Sequence, residues 1–118
     1  MSLSVARVLR LQGAYYLLTG LSPFVSMRGF EKVTGKKKDR WLVQMVGLLA
    51  ASVGVSLFVA ADRNQIETAT VLLATATALA FAGIDVVHVA RRRISPIYLA
   101  DAAAEAAILS ALLAAKRR

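Results

Sequence analysis

The chain has no cysteine and only one histidine among its 118 residues. Without cysteine it has no disulfide framework, no thiolate metal site and no thiol nucleophile. The single histidine, His88, excludes metal sites built from several histidines. Acidic residues are also scarce, with seven against fifteen lysines and arginines, so few side chains are left for acid–base chemistry. These absences exclude most cofactor chemistry that proteins perform through sulfur or through histidine clusters.

Apolar residues, in contrast, are unusually abundant. They make up 58% of the chain, charged residues make up 19%, and the mean hydropathy is +0.60. Soluble domains average about 45–50% apolar and about 25% charged residues, so the composition is typical of a protein in lipid and excludes intrinsic disorder. The length predicts one domain, covering residues 1–118.

Four apolar stretches are long enough to cross a membrane, and they predict an all-α, polytopic transmembrane four-helix bundle. The clearest runs from Trp41 to Ala61 without a charged residue, and at 1.5 Å per residue it spans about 30 Å, the thickness of a hydrocarbon core. Ser95 and Pro96 are typical of a helix start. We expect the first stretch to be a spanning helix and not a signal peptide, because no small-residue cleavage site follows it. The predicted helices cover residues 4–24, 41–61, 66–90 and 96–115.

The net charge of +8 is concentrated in the connections between these stretches. Lipid headgroups would meet the charges there, so membrane lipids, and not nucleic acid, are the expected partners. Connections 1 and 3 carry nine lysines and arginines, and the termini with connection 2 carry six. The positive-inside rule therefore favours connections 1 and 3 in the cytoplasm, although so small an excess leaves dual insertion open. A short amphipathic turn on the membrane surface is expected around residues 27–33.

Small residues recur at four-residue spacing in the second predicted helix. Gly47 with Ala51, and Ala50 with Gly54, are pairs typical of close helix packing in membranes. We expect these residues to form contacts and not to take part in chemistry. Together with the alanine-rich fourth helix, they offer surfaces for a homo-oligomer, with a homodimer as the first choice.

Ionisable residues inside the last two predicted helices are the strongest functional signal. An acidic residue at the centre of a membrane helix costs about 2.5–3.5 kcal/mol, so it must face a partner or water. If these helices form a hairpin, Asp85 and Asp101 lie at nearly the same depth, and Glu105 lies deeper, near the middle of the bilayer. The same depth count brings polar residues of the first two helices into the same half of the membrane. The predicted ligand-binding residues are Asp85, His88, Asp101, Glu105, Tyr16, Tyr98 and Gln44.

Three interpretations of this cluster stay open at the level of sequence. It is a structural lock in which the carboxylates pair with Arg91–Arg93, tyrosine hydroxyls or His88. Alternatively, it is a cavity that binds or translocates a small cation, a proton or a polar ligand. In the third interpretation it belongs to a membrane-embedded enzyme, since one histidine and three carboxylates can ligate iron, manganese or zinc. We favour the binding site over the enzyme and over a structural subunit of a larger membrane complex, and the sequence identifies no cofactor.

Gln12 and Tyr15 are expected to make ordinary hydrogen bonds, the glutamine across a helix contact. Residues 16–23 (YLLTGLSP) and 29–48 (GFEKVTGKKKDRWLVQMVGL) resemble a segment of small four-helix bacterial membrane proteins that have no assigned activity. The resemblance implies a multi-pass protein of the bacterial inner membrane and carries over no ligand or catalytic residue.

Overall fold

The computed structural model describes residues 4–34 and 40–116, and within these ranges the chain is helical without strands, which confirms the all-α prediction. Lys36–Lys38, Arg117 and Arg118, which were counted for orientation, lie outside the described residues. The five helices are α1 (Val5–Val25), α2 (Met27–Thr34), α3 (Arg40–Asp62), α4 (Thr68–Ala90) and α5 (Tyr98–Lys116).

The four long helices begin and end within two residues of the predicted limits. Helices α4 and α5 each begin two residues later than predicted, and α5 begins at Tyr98 and not at Pro96. At α5 the reason is local hydrogen bonding. The Ser95 hydroxyl accepts from Ile97 N and the Ser95 carbonyl accepts from Tyr98 N, which forms a turn ahead of the helix. The short helix α2 covers the segment expected to be amphipathic. An ion pair of 2.7 Å between Arg40 and Glu31 connects it to α3.

Three of the described helices, and not the predicted four, are long and apolar enough to cross a membrane: α3, α4 and α5. The first helix falls short because Arg7, Arg10 and Gln12 interrupt its apolar sequence. It is nevertheless the most enclosed helix, with seven buried residues where α4 has three. A helix that is surrounded by neighbouring helices tolerates polar side chains that lipid would not.

Helices α1 and α3 pack antiparallel through paired glycines. A methyl group on Gly13 would lie 2.5 Å from the carbonyl oxygen of Gly54, and one on Gly54 would lie 2.5 Å from that of Gly13. Gly20 and Gly47 face each other in the same way further along the helices, so the two backbones touch. The small face of α3 is therefore a packing surface, as predicted. Because α1 covers it, this face does not serve the predicted homodimer.

The second helix pair is the hairpin of α4 and α5. The two pairs meet mainly where α1 contacts α5, whereas α3 and α4 make little contact with each other. The helices therefore form an open arrangement, with a cleft between α3 and α4, instead of a closed four-helix bundle. At the end opposite α2, an exposed ion pair of 3.4 Å joins Arg10 to Asp62, and such pairs contribute at most about 1 kcal/mol.

Candidate functional site

Five polar side chains from three helices meet where α1 contacts the α4–α5 hairpin. They are Tyr15 and Tyr16 of α1, Asp85 of α4, and Asp101 and Glu105 of α5. Asp85 lies five residues before the end of α4 and Glu105 seven residues after the start of α5. At 1.5 Å per residue these positions are about 8 and 10 Å from the helix ends. With Asp101 three residues after the start of α5, Asp85 and Asp101 flank the connection and Glu105 lies further from it.

A buried hydrogen-bond chain runs from Gln12 to Glu105. The Gln12 amide nitrogen Nε2 donates to the carbonyl of Ala74 at 2.9 Å and to the Tyr16 hydroxyl at 3.1 Å. The Tyr16 hydroxyl in turn donates to Glu105 Oε1 at 2.6 Å. Gln12, Tyr16 and Glu105 are each at most 1% exposed. Gln12 thus bonds across a helix contact, as expected, and α1 is tied to both helices of the hairpin.

A second set of contacts surrounds Asp101. The Tyr15 hydroxyl donates to Asp101 Oδ1. On the other side, the Asp85 carboxyl is within hydrogen-bonding reach of Asp101 and close enough to Glu105 for direct electrostatic interaction. Two carboxyl groups form a hydrogen bond only when one of them carries a proton. A hydrogen bond between Asp85 and Asp101 would therefore need a proton in this group of three carboxyls, which we call the carboxyl cluster (Asp85, Asp101 and Glu105).

Two oxygens of the carboxyl cluster have free acceptor capacity. Among the described residues, Asp85 Oδ2 and Glu105 Oε2 are buried without a hydrogen-bond partner. Asp85 is 6% exposed and Glu105 is 0% exposed. A buried acceptor without a donor costs about 1–3 kcal/mol. The cluster therefore presents two strong acceptors that a donor group on a ligand would satisfy.

No basic side chain pairs with the carboxyl cluster within residues 4–34 and 40–116, where the ion pairs are Arg10–Asp62 and Arg40–Glu31. The arginines at 91–93, which the structural-lock interpretation expected to pair with the acidic residues, are exposed. Arg93 borders the cleft without forming an ion pair. The tyrosine part of that interpretation agrees with the structure, and the arginine part is wrong.

The carboxyl cluster lines one end of the cleft between α3 and α4, which has a volume of about 780 Å³. Apolar residues of α3 and α4 form its two facing sides. The rings of Tyr16 and Phe81 meet edge to face in its wall, with centroids 5.4 Å apart. A second cavity, of about 750 Å³, lies beside α2 and shares Asp101 and Tyr98 with the cleft.

The structure brings together some of the predicted ligand-binding residues and leaves out two. Tyr16 and Tyr98 border the cleft with the carboxyl cluster. His88 borders neither cavity, although it lies only three residues after Asp85 in α4. Gln44 is also outside, since a residue two positions from the cleft-lining Leu42 and Val46 points to another side of α3.

Sequence reasoning did not include Tyr15 and Phe81 among the ligand-binding residues. A signal for Tyr15 was present, because Gln12, Tyr15 and Tyr16 are spaced three and four residues apart and form one polar stripe in the middle of α1. Phe81 gave no signal, since a phenylalanine in an apolar helix is ordinary. Its position four residues before Asp85 places it on the same face of α4.

Metal binding gains no support from the arrangement of these residues. In the part of the chain that the structure describes, no three histidine, aspartate or glutamate side chains are grouped so that they could hold a metal ion. No known protein family, no curated protein and no solved structure matches this chain.

Proposed function

We propose that this chain is a multi-pass protein of the bacterial inner membrane whose carboxyl cluster binds a small monovalent cation in exchange for a proton. The observation that carries this proposal is the gathering of Asp85, Asp101 and Glu105 inside apolar helices, with no basic partner among the described residues. Buried carboxylates are retained in a membrane when they serve a pathway or a binding site. The inner-membrane location draws on the resemblance of residues 16–23 and 29–48 described above.

We further propose that α1 crosses the membrane together with α3, α4 and α5. It is 21 residues long and packs along α3 from Gly13 to Gly20. Its polar side chains Gln12 and Tyr16 bond to the hairpin and do not face lipid. Arg7, near its end, is able to extend its charge to the membrane surface.

Cysteine labelling tests this topology, since the natural chain has no cysteine. With a membrane-impermeant thiol reagent, we expect Arg63→Cys and Lys116→Cys to react in intact spheroplasts, which expose the outer face of the membrane. Arg28→Cys and Arg91→Cys are expected to react only when the cytoplasmic side is made accessible. A tag at the N-terminus is expected on the side of Arg63→Cys. Finding that tag on the same side as Arg28→Cys would show that α1 does not cross.

The exchange of cation and proton follows from the charges of the cluster. We expect the three neighbouring carboxyls to hold at least one proton when no cation is bound, because full ionisation would place unpaired like charges near one another. A bound monovalent cation replaces one proton, so the charge of the site does not change. Since protons compete for the same oxygens, cation affinity should fall as the pH is lowered. The titratable or charged groups that face this site are Tyr15, Tyr16, Asp85, Arg93, Tyr98, Asp101 and Glu105, and α3 contributes none among its cleft-lining residues.

Proton release on cation binding is the direct test. Purified protein in weakly buffered detergent solution is mixed with sodium, potassium, ammonium or alkylammonium chloride, and the released protons are measured with an indicator dye. We expect about one proton released for each cation bound. Asp101→Asn and Glu105→Gln are expected to weaken binding by about tenfold or more, equivalent to about 1.4 kcal/mol.

Glu67→Gln is the matched control, because Glu67 is exposed at the start of α4 and its side chain makes no capping bond. This variant is expected to bind and release protons like the natural protein. If the folded natural protein releases no proton with any of these cations, the proposal is wrong, whatever the variants do.

A structural lock is the second candidate, and the hydrogen bonds from Tyr15 and Tyr16 to the cluster favour it. In that case the cluster only holds α1 against the hairpin. The lock predicts stability losses in cluster variants and no cation-linked proton release, so the same experiment distinguishes it. Self-association as a homodimer stays a prediction, through surfaces other than the covered face of α3.

A further inference from the structure

We propose that the cation is an amphiphilic organic ammonium ion, with N–H donors on its charged nitrogen and an apolar, preferably aromatic, body. The nitrogen binds at Asp85 and Glu105, and the body occupies the cleft between α3 and α4. This inference rests on the proposed function and specifies the chemical class of its ligand.

The size of the cleft is the first argument. Its volume of about 780 Å³ falls within the range of about 300–1,000 Å³ that is usual for pockets that bind small organic molecules. A sodium or potassium ion would fill a small fraction of it. The remaining space fits a ligand with an organic body.

The chemistry of the walls is the second argument. On the α3 side the cleft is lined by residues such as Leu42, Val46 and Ala50, and on the α4 side by Ala80 and Ile84. None of these side chains offers an oxygen or nitrogen to a hydrated ion. Apolar walls instead stabilise an apolar ligand body by about 25 cal/mol per Å² of surface removed from water.

The aromatic rings beside the carboxyl cluster are the third argument. Tyr16 and Phe81 meet at an angle of 84° and both border the cleft. Aromatic faces attract organic cations, and edge-to-face ring pairs accept a further ring. The polar end of the cleft therefore combines negative charge with aromatic surface, which suits an ammonium group attached to an apolar body.

The free acceptors decide which kind of ammonium ion fits. Asp85 Oδ2 and Glu105 Oε2 are buried without a donor, and both residues border the cleft. A primary ammonium group has N–H bonds for both oxygens, whereas a quaternary ammonium ion has none. Neither residue borders the second cavity. These observations favour the cleft as the site and a protonated amine as the ligand.

Charge complementarity also favours this ligand over anionic membrane lipid at the carboxyl cluster. Anionic lipid headgroups would meet the carboxyl cluster with like charge. A phosphatidylethanolamine headgroup carries an ammonium group and shares the proposed chemistry, so the experiment must distinguish it. We commit to a free amine as the occupant.

The test compares matched probes on the natural protein in nanodiscs of phosphatidylglycerol and phosphatidylcholine, by calorimetry and proton release. We expect 4-phenylbutylammonium to bind at least tenfold more tightly than its N,N,N-trimethyl analogue, which has the same body without N–H donors. The affinity of 4-phenylbutylammonium should exceed that of methylammonium, which lacks the apolar body, by a similar factor. The neutral 4-phenylbutanol should release no protons. Binding should persist when half of the lipid is phosphatidylethanolamine.

Two variants of α3 locate the ligand body. Val46→Phe fills the cleft at a residue that is 47% exposed, so we expect it to fold and to weaken 4-phenylbutylammonium binding by about tenfold. Val55→Phe makes the same change at a residue that is 45% exposed and borders neither cavity, and it should have no effect.

The outcomes separate this inference from the proposed function. If sodium, potassium or methylammonium releases protons in a Glu105-dependent way and the phenylbutyl body adds no affinity, the ligand class is wrong and cation exchange stands. Equal binding of the trimethyl analogue, an unchanged Val46→Phe variant, or loss of binding in phosphatidylethanolamine would also overturn the ligand class. If no cation releases protons, the proposed function itself fails.

Discussion

Replacing Gly20 or Gly47 with leucine is expected to prevent α1 and α3 from packing and to prevent recovery of folded protein. A side chain on either glycine would overlap the backbone carbonyl of the other, and neither backbone is able to move without displacing its helix. Overpacking in ordinary cores costs about 1–3 kcal/mol. Here we expect more than about 3 kcal/mol, a large part of the stability of a small domain, because backbone meets backbone. Yield of monodisperse protein and thermal unfolding in detergent measure the effect.

Gly83→Leu is the matched control, because a Cβ atom at Gly83 would have no packing neighbour within 4 Å beyond the adjoining backbone of its own helix. It makes the same substitution in a long helix of the same chain, on the exposed side of α4. We expect its unfolding temperature to be unchanged or slightly raised, since leucine favours helix more than glycine does. Normal folding of Gly20→Leu would show that the two helices do not approach as closely as described.

The second large effect concerns the bond between Tyr16 and Glu105. Tyr16→Phe removes the donor to Glu105 Oε1 and leaves a carboxyl group that is 0% exposed without any hydrogen bond, because its other oxygen is already unpartnered. Leaving such a group unsatisfied costs about 1–3 kcal/mol or more. We expect a corresponding loss of stability in chemical or thermal unfolding.

Combining this change with Glu105→Leu tests what the carboxyl group is for. The double variant no longer buries an unsatisfied acid, so it should be more stable than Tyr16→Phe alone, with a coupling energy of about 0.5–3 kcal/mol. It should also fail to exchange a cation for a proton. Stability and binding would then change in opposite directions, as expected for an acid retained for a ligand. A double variant less stable than both single variants would instead indicate a structural lock.

Part of the candidate site could be predicted, because a hairpin fixes how far residues on its two helices lie from the connection. Asp85 and Asp101 flank the connection between α4 and α5 at similar distances, so joining two straight helices brings them to one level. The rotation of each helix about its axis was not predictable in this way. His88 and Gln44 have suitable depth, yet packing turns or displaces them from the cleft, while the same packing brings Tyr15 of α1 onto Asp101.

The sequence by itself determined that the chain is helical and where its long helices lie, because long uncharged stretches can satisfy their backbone in lipid only as helices. Its spacing of small residues also determined that α3 has a packing face. Only the tertiary structure decided that this face pairs with Gly13 and Gly20 of α1, since complementarity between two surfaces is not encoded in either one alone. The open cleft has the same origin. Tight glycine packing draws α3 onto α1 and away from α4, and the space left between them ends at the carboxyl cluster.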